Sequence, residues 1–268
     1  MLSKSEIEAA ALRLDEAERT RTQIGLLSII HPAITLDDAY AIQRAWVTKK
    51  ITAGRRIVGH KIGLTSKAMQ QALNIATPDS GVLLDDMLFP DGGEVPTARF
   101  IALRVEAELA FVLKRDISGP TCSLLNVLDA TDYVVPALEI LDTRIRRADP
   151  ATKASRKIFD TVSDNAANAG IVMGGRPMRP DAVDMRWIGA IVAKNASVEE
   201  TGLAAGVLNH PATGIVWLLR RLAEQEGHGL KAGEIVLSGS FIRPIEVRAG
   251  DTVHADYGPM GTVSCYFA

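Results

Sequence analysis

The sequence predicts an α+β fold, with a helical N-terminal region over residues 1–55 and a β-rich, mixed-sheet core over residues 56–268. Three observations carry this. The first third reads as largely helical, and after Arg55 short apolar stretches of strand character dominate. Helices beyond that point are few and do not alternate regularly with strands, which argues against a Rossmann or TIM-barrel layout. The 268 residues are long enough for one large domain or two small ones, and with no internal repeat or low-complexity linker the expectation is a single domain.

In chain order, residues 5–20 carry Ile7, Ala10, Ala11, Leu14 and Ala17 at helical spacing. A second helix starts at Thr35, with Asp38 three residues on, and its apolar stripe runs through Leu36, Tyr40, Ile42 and Trp46 to an end near Gly54. Residues 57–64 form a short strand interrupted by His60 and Lys61, and Ser66 is placed to cap a helix over 67–73. Pro78, Asp79, Ser80 and Gly81 give a turn signal. Residues 104–113 alternate so that Val105, Ala107, Leu109, Phe111 and Leu113 share one face. A short helix over 123–130 leads into a strand over 133–141. Residues 185–192 and 198–201 flank a hairpin turn, and Asn209-His210-Pro211 opens a helix. The end is strand again at 234–238, 252–257 and 263–267.

Composition excludes several classes. Thirty basic against thirty-two acidic side chains give a net charge of −2, which leaves no footprint for nucleic acid and no polybasic membrane patch. The charged N-terminus is not a signal peptide, and no apolar run approaches the ~20 residues that span a bilayer. Two cysteines, Cys122 and Cys265, suit a reduced compartment, so the chain is expected in the cytoplasm. Neither G-x-G-x-x-G nor G-x-x-x-x-G-K-[ST] occurs, so nucleotide cofactors have no support.

Chemistry concentrates in carboxylates. Glu106 and Glu108 are two apart on a strand, hence on one face and roughly 7 Å apart, a spacing at which two carboxylates grip one hard cation. The alternative is a solvated acidic face, but Ala110 and Val112 continue that face. Glu139 lies in VVPALEIL, apolar on both faces, where a carboxylate is costly unless metal-bound or paired, with Arg104 or Arg144 as candidate partners. Lys61 either snorkels from its strand or meets a substrate oxygen. Asp79 is either a turn residue or a general acid/base. The small residues of SGSFIRP, 238–244, let backbone N–H groups approach an anion, or mark a bulged strand end. Ser163, Asp164, Asn165 and Asn168 form a polar cluster suited to a substrate loop or an Asx turn.

Assembled, these segments resemble the hydratase/decarboxylase branch of the fumarylacetoacetate hydrolase superfamily over essentially the whole chain. The markers are GHKIGLTSKAMQ (59–70), PDSGVLLDDM (78–87), RVEAELAFVL (104–113), DATDYVVPALEILD (129–142), FDTVSDNAANAG (159–170), GVLNHP (206–211), SGSFIRP (238–244) and DYGPMGTVSC (256–265). The resemblance implies that Glu106, Glu108 and Glu139 hold magnesium or manganese, with a 2-oxo acid chelating the ion. It implies Lys61 as the active-site lysine, Asp79 as acid/base and Ser240 in the substrate-carboxylate region. Ser163, Arg156 and Arg243 are further expected substrate contacts, either arginine being able to meet a second carboxylate. Ser80 departs from the family pattern, which places an aromatic residue there.

The implied reaction is addition of water to a seven-carbon unsaturated 2-oxo dicarboxylic acid, giving a 4-hydroxy-2-oxo acid in aromatic catabolism. Hydration of a five-carbon dienoate, or decarboxylation of 2-oxo-hexenedioate, are the competing activities. A non-catalytic partner subunit is the reading from another class, and the intact acidic set with Lys61 and Asp79 argues against it. The family further implies a homo-oligomer, a pentamer or decamer, able to associate with a pathway neighbour.

Overall fold

The computed structural model describes residues 1–268 except 68, 69, 72–74 and 76. The helix expected over 67–73 lies partly outside the described residues. Three helices form the N-terminal region: α1 (Lys4–Thr20), the single turn α2 (Leu27–Ile30) and α3 (Leu36–Thr52). The Thr35 signal is a full capping box: the Thr35 hydroxyl accepts the Asp38 N–H, and the Asp38 carboxylate takes the Thr35 N–H. Leu14, Leu27, Ile42 and Trp46 pack with Leu84, Met87 and Ile145 of the core, which fixes the helices onto the sheet.

The core is β1 (Ile57–Gly63), β2 (Asp79–Leu84), β3 (Leu88–Phe89), β4 (Gly93–Val95), β5 (Arg104–Leu113), β6 (Thr131–Leu141), β7 (Asn168–Met173), β8 (Gly189–Lys194), β9 (Ser197–Leu203), β10 (Ile235–Leu237), β11 (Ile245–Glu246), β12 (Thr252–Asp256) and β13 (Thr262–Phe267). Interleaved helices are α4 (Leu124–Ala130), α5 (Ile158–Ser163) and α6 (Thr213–Gln225). One sheet runs β2-β1-β10-β5-β6-β7-β3, with β11 on β5, and a second runs β4-β13-β12-β8-β9. Both are mixed: β1–β10, β3–β7 and β4–β13 are parallel pairs among antiparallel ones. The predicted α+β architecture is therefore observed.

β5 is the centre of the molecule. Its odd-numbered residues, Val105 to Leu113, enter the main apolar core between the sheets, as their alternation requires. Its other face carries Arg104, Glu106, Glu108 and Ala110, and Ala110 packs with Val135, Ala137 and Ile171.

Two local expectations are corrected. Pro78 to Gly81 is not a turn: Asp79 opens β2, with Gly63 opposite Asp79 in the antiparallel ladder to β1. Ladder pairing overrides the turn propensity of the four residues. The helix read as opening at Asn209 begins at Thr213, because Leu208 and Asn209 adopt positive φ and the His210 imidazole accepts the Ala212 N–H.

Candidate metal centre

The β5–β6 ladder places Glu106 directly opposite Glu139, and Glu108 opposite Ala137. Like charges opposed across a ladder destabilise it unless something lies between them. Oxygens of Glu106, Glu108 and Glu139 all fall within 4.8 Å of one another. Lys61 enters from β1, three places from β6 in the sheet order, or roughly 14 Å if the sheet were flat. The sheet instead curls until Lys61 Nζ stands 3.2 Å from Glu139 Oε1. The pairing of Glu139 with Arg104 or Arg144 is not what forms: Arg104 takes Glu246, and Arg144 takes Asp164.

Asp79 completes the group. A Cβ on Gly63 would lie 2.2 Å from Asp79 Oδ1 and 3.1 Å from Lys61 Nζ, so glycine leaves the space in which they meet. Beside Asp79, Ser80 is buried with its hydroxyl 3.5 Å from that of Tyr40 on α3, so an aromatic ring does stand there, supplied by another element.

Four carboxyls thus face one ammonium. Burial, then the neighbouring Glu139, pushes the Glu106 carboxyl up to about 8, and the same two causes hold Glu108 well above the usual carboxylate range. Burial also raises Glu139 and Asp79, against the pull of Lys61. Burial alone would lower Lys61, but Glu139, Asp79, Glu106 and Glu108 outweigh it and keep the ammonium protonated. Apart from the Lys61 ammonium beside Glu139 Oε1, Glu108 Oε1, both Glu139 oxygens and Asp79 Oδ1 are buried with no hydrogen-bond partner among the described residues. Buried anionic oxygens without donors are expensive. An all-carboxylate set of this kind fits a hard divalent cation, which would neutralise it.

The supports of this centre are the residues sequence reasoning missed. The Gly239 N–H donates to Glu108 Oε2 at 2.8 Å, so the small-residue stretch 238–240 does bring a backbone donor to an anion, one of the protein's own. A side chain at Gly239 would strike Thr65, and its φ is +116°. Tyr257 bridges β5 and β6: its hydroxyl accepts the Glu108 N–H at 3.1 Å and donates to the Ala137 carbonyl at 2.6 Å. No spacing rule marks Tyr257, which arrives from beyond β12.

Two adjoining cavities of 330 and 490 Å³ open on Glu106 and share Gly63, Leu64 and Pro244. The smaller holds Lys61, Asp79 and Arg156, and adds Arg104 and Arg147. Ser240 and Arg243 line the larger. Ser163 lines neither; it is buried in α5. Asp164 accepts from the Arg144 backbone and guanidinium, and Asn165 and Asn168 hold Val82 of β2, so this polar cluster braces the core.

A curled mixed sheet presenting an acidic centre beside a buried lysine and aspartate defines a metal-dependent enzyme of the fumarylacetoacetate hydrolase type. The family model for the fumarylacetoacetate (FAA) hydrolase C-terminal region matches residues 51–267, and the chain belongs to that family. It is 56% identical to the 2-oxo-hept-4-ene-1,7-dioate hydratase of Escherichia coli over 267 residues, covering 100% of each chain. It is 38% identical to a 2-keto-4-pentenoate hydratase of Paraburkholderia xenovorans, covering 97% of this chain and 94% of the relative. Among solved structures, the 4-oxalocrotonate decarboxylase of Pseudomonas putida G7, complexed with magnesium and adipate, superimposes with a TM-score of 0.93 at 34% identity, covering 100% of this chain and 99% of that one. No helix among the described residues is long and apolar enough to cross a membrane.

Proposed function

We propose that the chain is a hydro-lyase that adds water to 2-oxo-hept-4-ene-1,7-dioate, giving 4-hydroxy-2-oxoheptanedioate, in the breakdown of aromatic compounds. The observation that carries this is the convergence of Glu106, Glu108 and Glu139 beside Lys61 and Asp79 at one cavity, joined to full-length likeness to a hydratase. Residues 1–268 act as one catalytic unit, since Gln43 of α3 donates to the Ser80 carbonyl beside Asp79 and so ties the helical region to the site.

The three glutamates would hold magnesium or manganese, which when bound supplies Lewis-acid polarisation of a carbonyl oxygen. Lys61, fixed as an ammonium, meets negative charge on the substrate oxygens. Asp79, with its raised pKa, takes a proton from C3, and C5 gains one, so that the double bond moves to C3–C4. The oxygen of water adds at C4, and C3 is reprotonated. Arg156 faces the same cavity as a carboxylate contact, while Ser240 and Arg243 border the adjoining one. Ser163, set in neither cavity, acts at most through the α5 backbone.

The test follows loss of the substrate's absorbance with purified protein, with and without chelator, while recording carbon dioxide. Metal-dependent formation of the 4-hydroxy product is expected. Carbon dioxide release without hydration would assign a decarboxylase instead.

A cytoplasmic homo-oligomer of five or ten subunits, able to associate with a pathway neighbour, completes the reading. For self-association, though not for subunit number or compartment, the support is an 890 Å³ apolar groove beside Trp187, Ile191 and Leu203, whose side chains are exposed. Light scattering on the eluted protein measures the subunit number, and a monomer would refute it.

A further inference from the structure

The smaller cavity carries more positive charge than the centre needs. Residues 146–156 fold back on themselves: Ala148 bridges Ser155, and the Arg156 N–H donates to the Arg147 carbonyl at 2.9 Å. This pins Arg147 and Arg156 together at the cavity wall. Arg104 joins them from the first residue of β5, on the face that carries Glu106 one step further, roughly 7 Å along the strand.

Arg104 and Arg147 share the carboxylate of Glu246, while Arg156 feels Asp164, Asp79 and Asp160 without an ion pair to any of them among the described residues. Glu246 contacts Arg104 closely and Arg147 only at 3.8 Å, and its side chain is 74% exposed, so it neutralises the two poorly. Arg104 Nε and Arg156 Nη1 are buried without a hydrogen-bond partner among the described residues. Burial, then the charges of Arg104 and Arg156, pull Arg147 down to about 10. Three guanidiniums line one cavity, two of them with an unmet buried donor, and their planar forks match a carboxylate. Arg243 is not in the same position: its guanidinium is largely solvated and already holds Glu200 at 2.6 Å.

We propose that Arg104, Arg147 and Arg156 bind the far carboxylate of a dicarboxylic substrate, with Arg147 as the residue that distinguishes a diacid from a monoacid. The proposal rests on the hydratase reading. A 2-oxo acid whose first carboxylate lies at the acidic centre would point its tail along the cavity to these arginines.

The experiment compares kcat/KM for 2-oxo-hept-4-ene-1,7-dioate and for the five-carbon 2-keto-4-pentenoate, which lacks the second carboxylate. In Arg147→Met the diacid-to-monoacid ratio should fall about 10- to 100-fold. Arg147→Lys should recover part of it, since charge remains while the fork is lost. In parallel, calorimetry on the magnesium-loaded protein compares adipate with hexanoate, and the preference for adipate should shrink in Arg147→Met. Equal losses on both substrates would overturn the pocket, as would a ratio that falls in Arg243→Gln and not in Arg147→Met. A wild type that hydrates neither substrate, yet prefers adipate through Arg147, would sink the hydratase reading and leave the pocket standing.

Discussion

Two buried ion pairs, Arg144 with Asp164 and Lys61 with Glu139, are built to opposite rules. Arg144 and Asp164 are heavily hydrogen-bonded to each other and to the backbone around them. The Asp164 carboxylate accepts the Arg144 guanidinium and the N–H groups of Arg144 and Ile145, while Arg144 Nη2 donates to the carbonyls of Asp164 and Asn168. Lys61 and Glu139 touch at 3.2 Å, but Glu139 has no backbone N–H or other cation on it among the described residues, and three more carboxyls crowd the same ammonium. In the first pair both oxygens of the Asp164 carboxylate are taken by donors. The second has oxygens to spare, and a buried group with unused valence costs stability that only a bound partner restores. Structure is held where polar groups are exhausted, and chemistry is done where they are not.

Substitutions can break that contrast. Glu139→Gln should lower the hydration rate roughly 10³-fold or more, while the metal-free protein melts no lower than the parent, since one crowded carboxylate has gone. Normal rate and normal magnesium dependence in this variant would end the assignment. Arg144→Met should do the reverse. Leaving Asp164 buried and alone costs about 3–5 kcal/mol, measurable by denaturant titration, with turnover per folded molecule preserved.

Asp79→Asn should keep magnesium affinity and reduce hydration on the order of 10²-fold. It should also abolish deuterium exchange at C3, followed by proton NMR; persistent exchange would remove Asp79 from the proton path.

Acidity sharpens the contrast further. Glu106 in the folded, metal-free protein titrates near 8 instead of 4.5, so the folded state holds a proton that the unfolded chain has released. The resulting stability is full below about 4.5 and is lost as pH rises through about 8. Magnesium replaces that proton, so its addition should raise the melting temperature more at pH 8 than at pH 5. An equal rise at both would contradict the raised carboxyl. Smallest of all, Tyr257→Phe removes the bridge between Glu108 and Ala137 and should cost about 1 kcal/mol by denaturant titration.

Much of this was readable from the chain. The alternation of 104–113 gives β5, its faces and the shared orientation of Glu106 and Glu108, because strand periodicity is local. Glu139 stands out as an acid in an apolar strand for the same reason. Its position opposite Glu106 was not readable, since register depends on strands paired across a loop. Asp79 was masked by turn-forming neighbours whose behaviour the β1 ladder overrode. The run Arg144-Ile145-Arg146-Arg147 shows the limit most clearly. Arg144 is buried, Arg146 exposed and Arg147 half-buried at the cavity, and three identical side chains give no local cue to their different fates.

The division of labour between β5 and the segment 146–156 has a consequence for how such a protein changes over time. On the proposed function the reacting end of the substrate would be gripped by paired strands, where a one-residue insertion would turn every acid to the opposite face. On the proposed arginine pocket the tail would be met largely by a connecting segment, of the kind that tolerates exchange. Appetite for longer, shorter or uncharged tails can therefore drift through edits to that segment while the reaction itself is inherited intact.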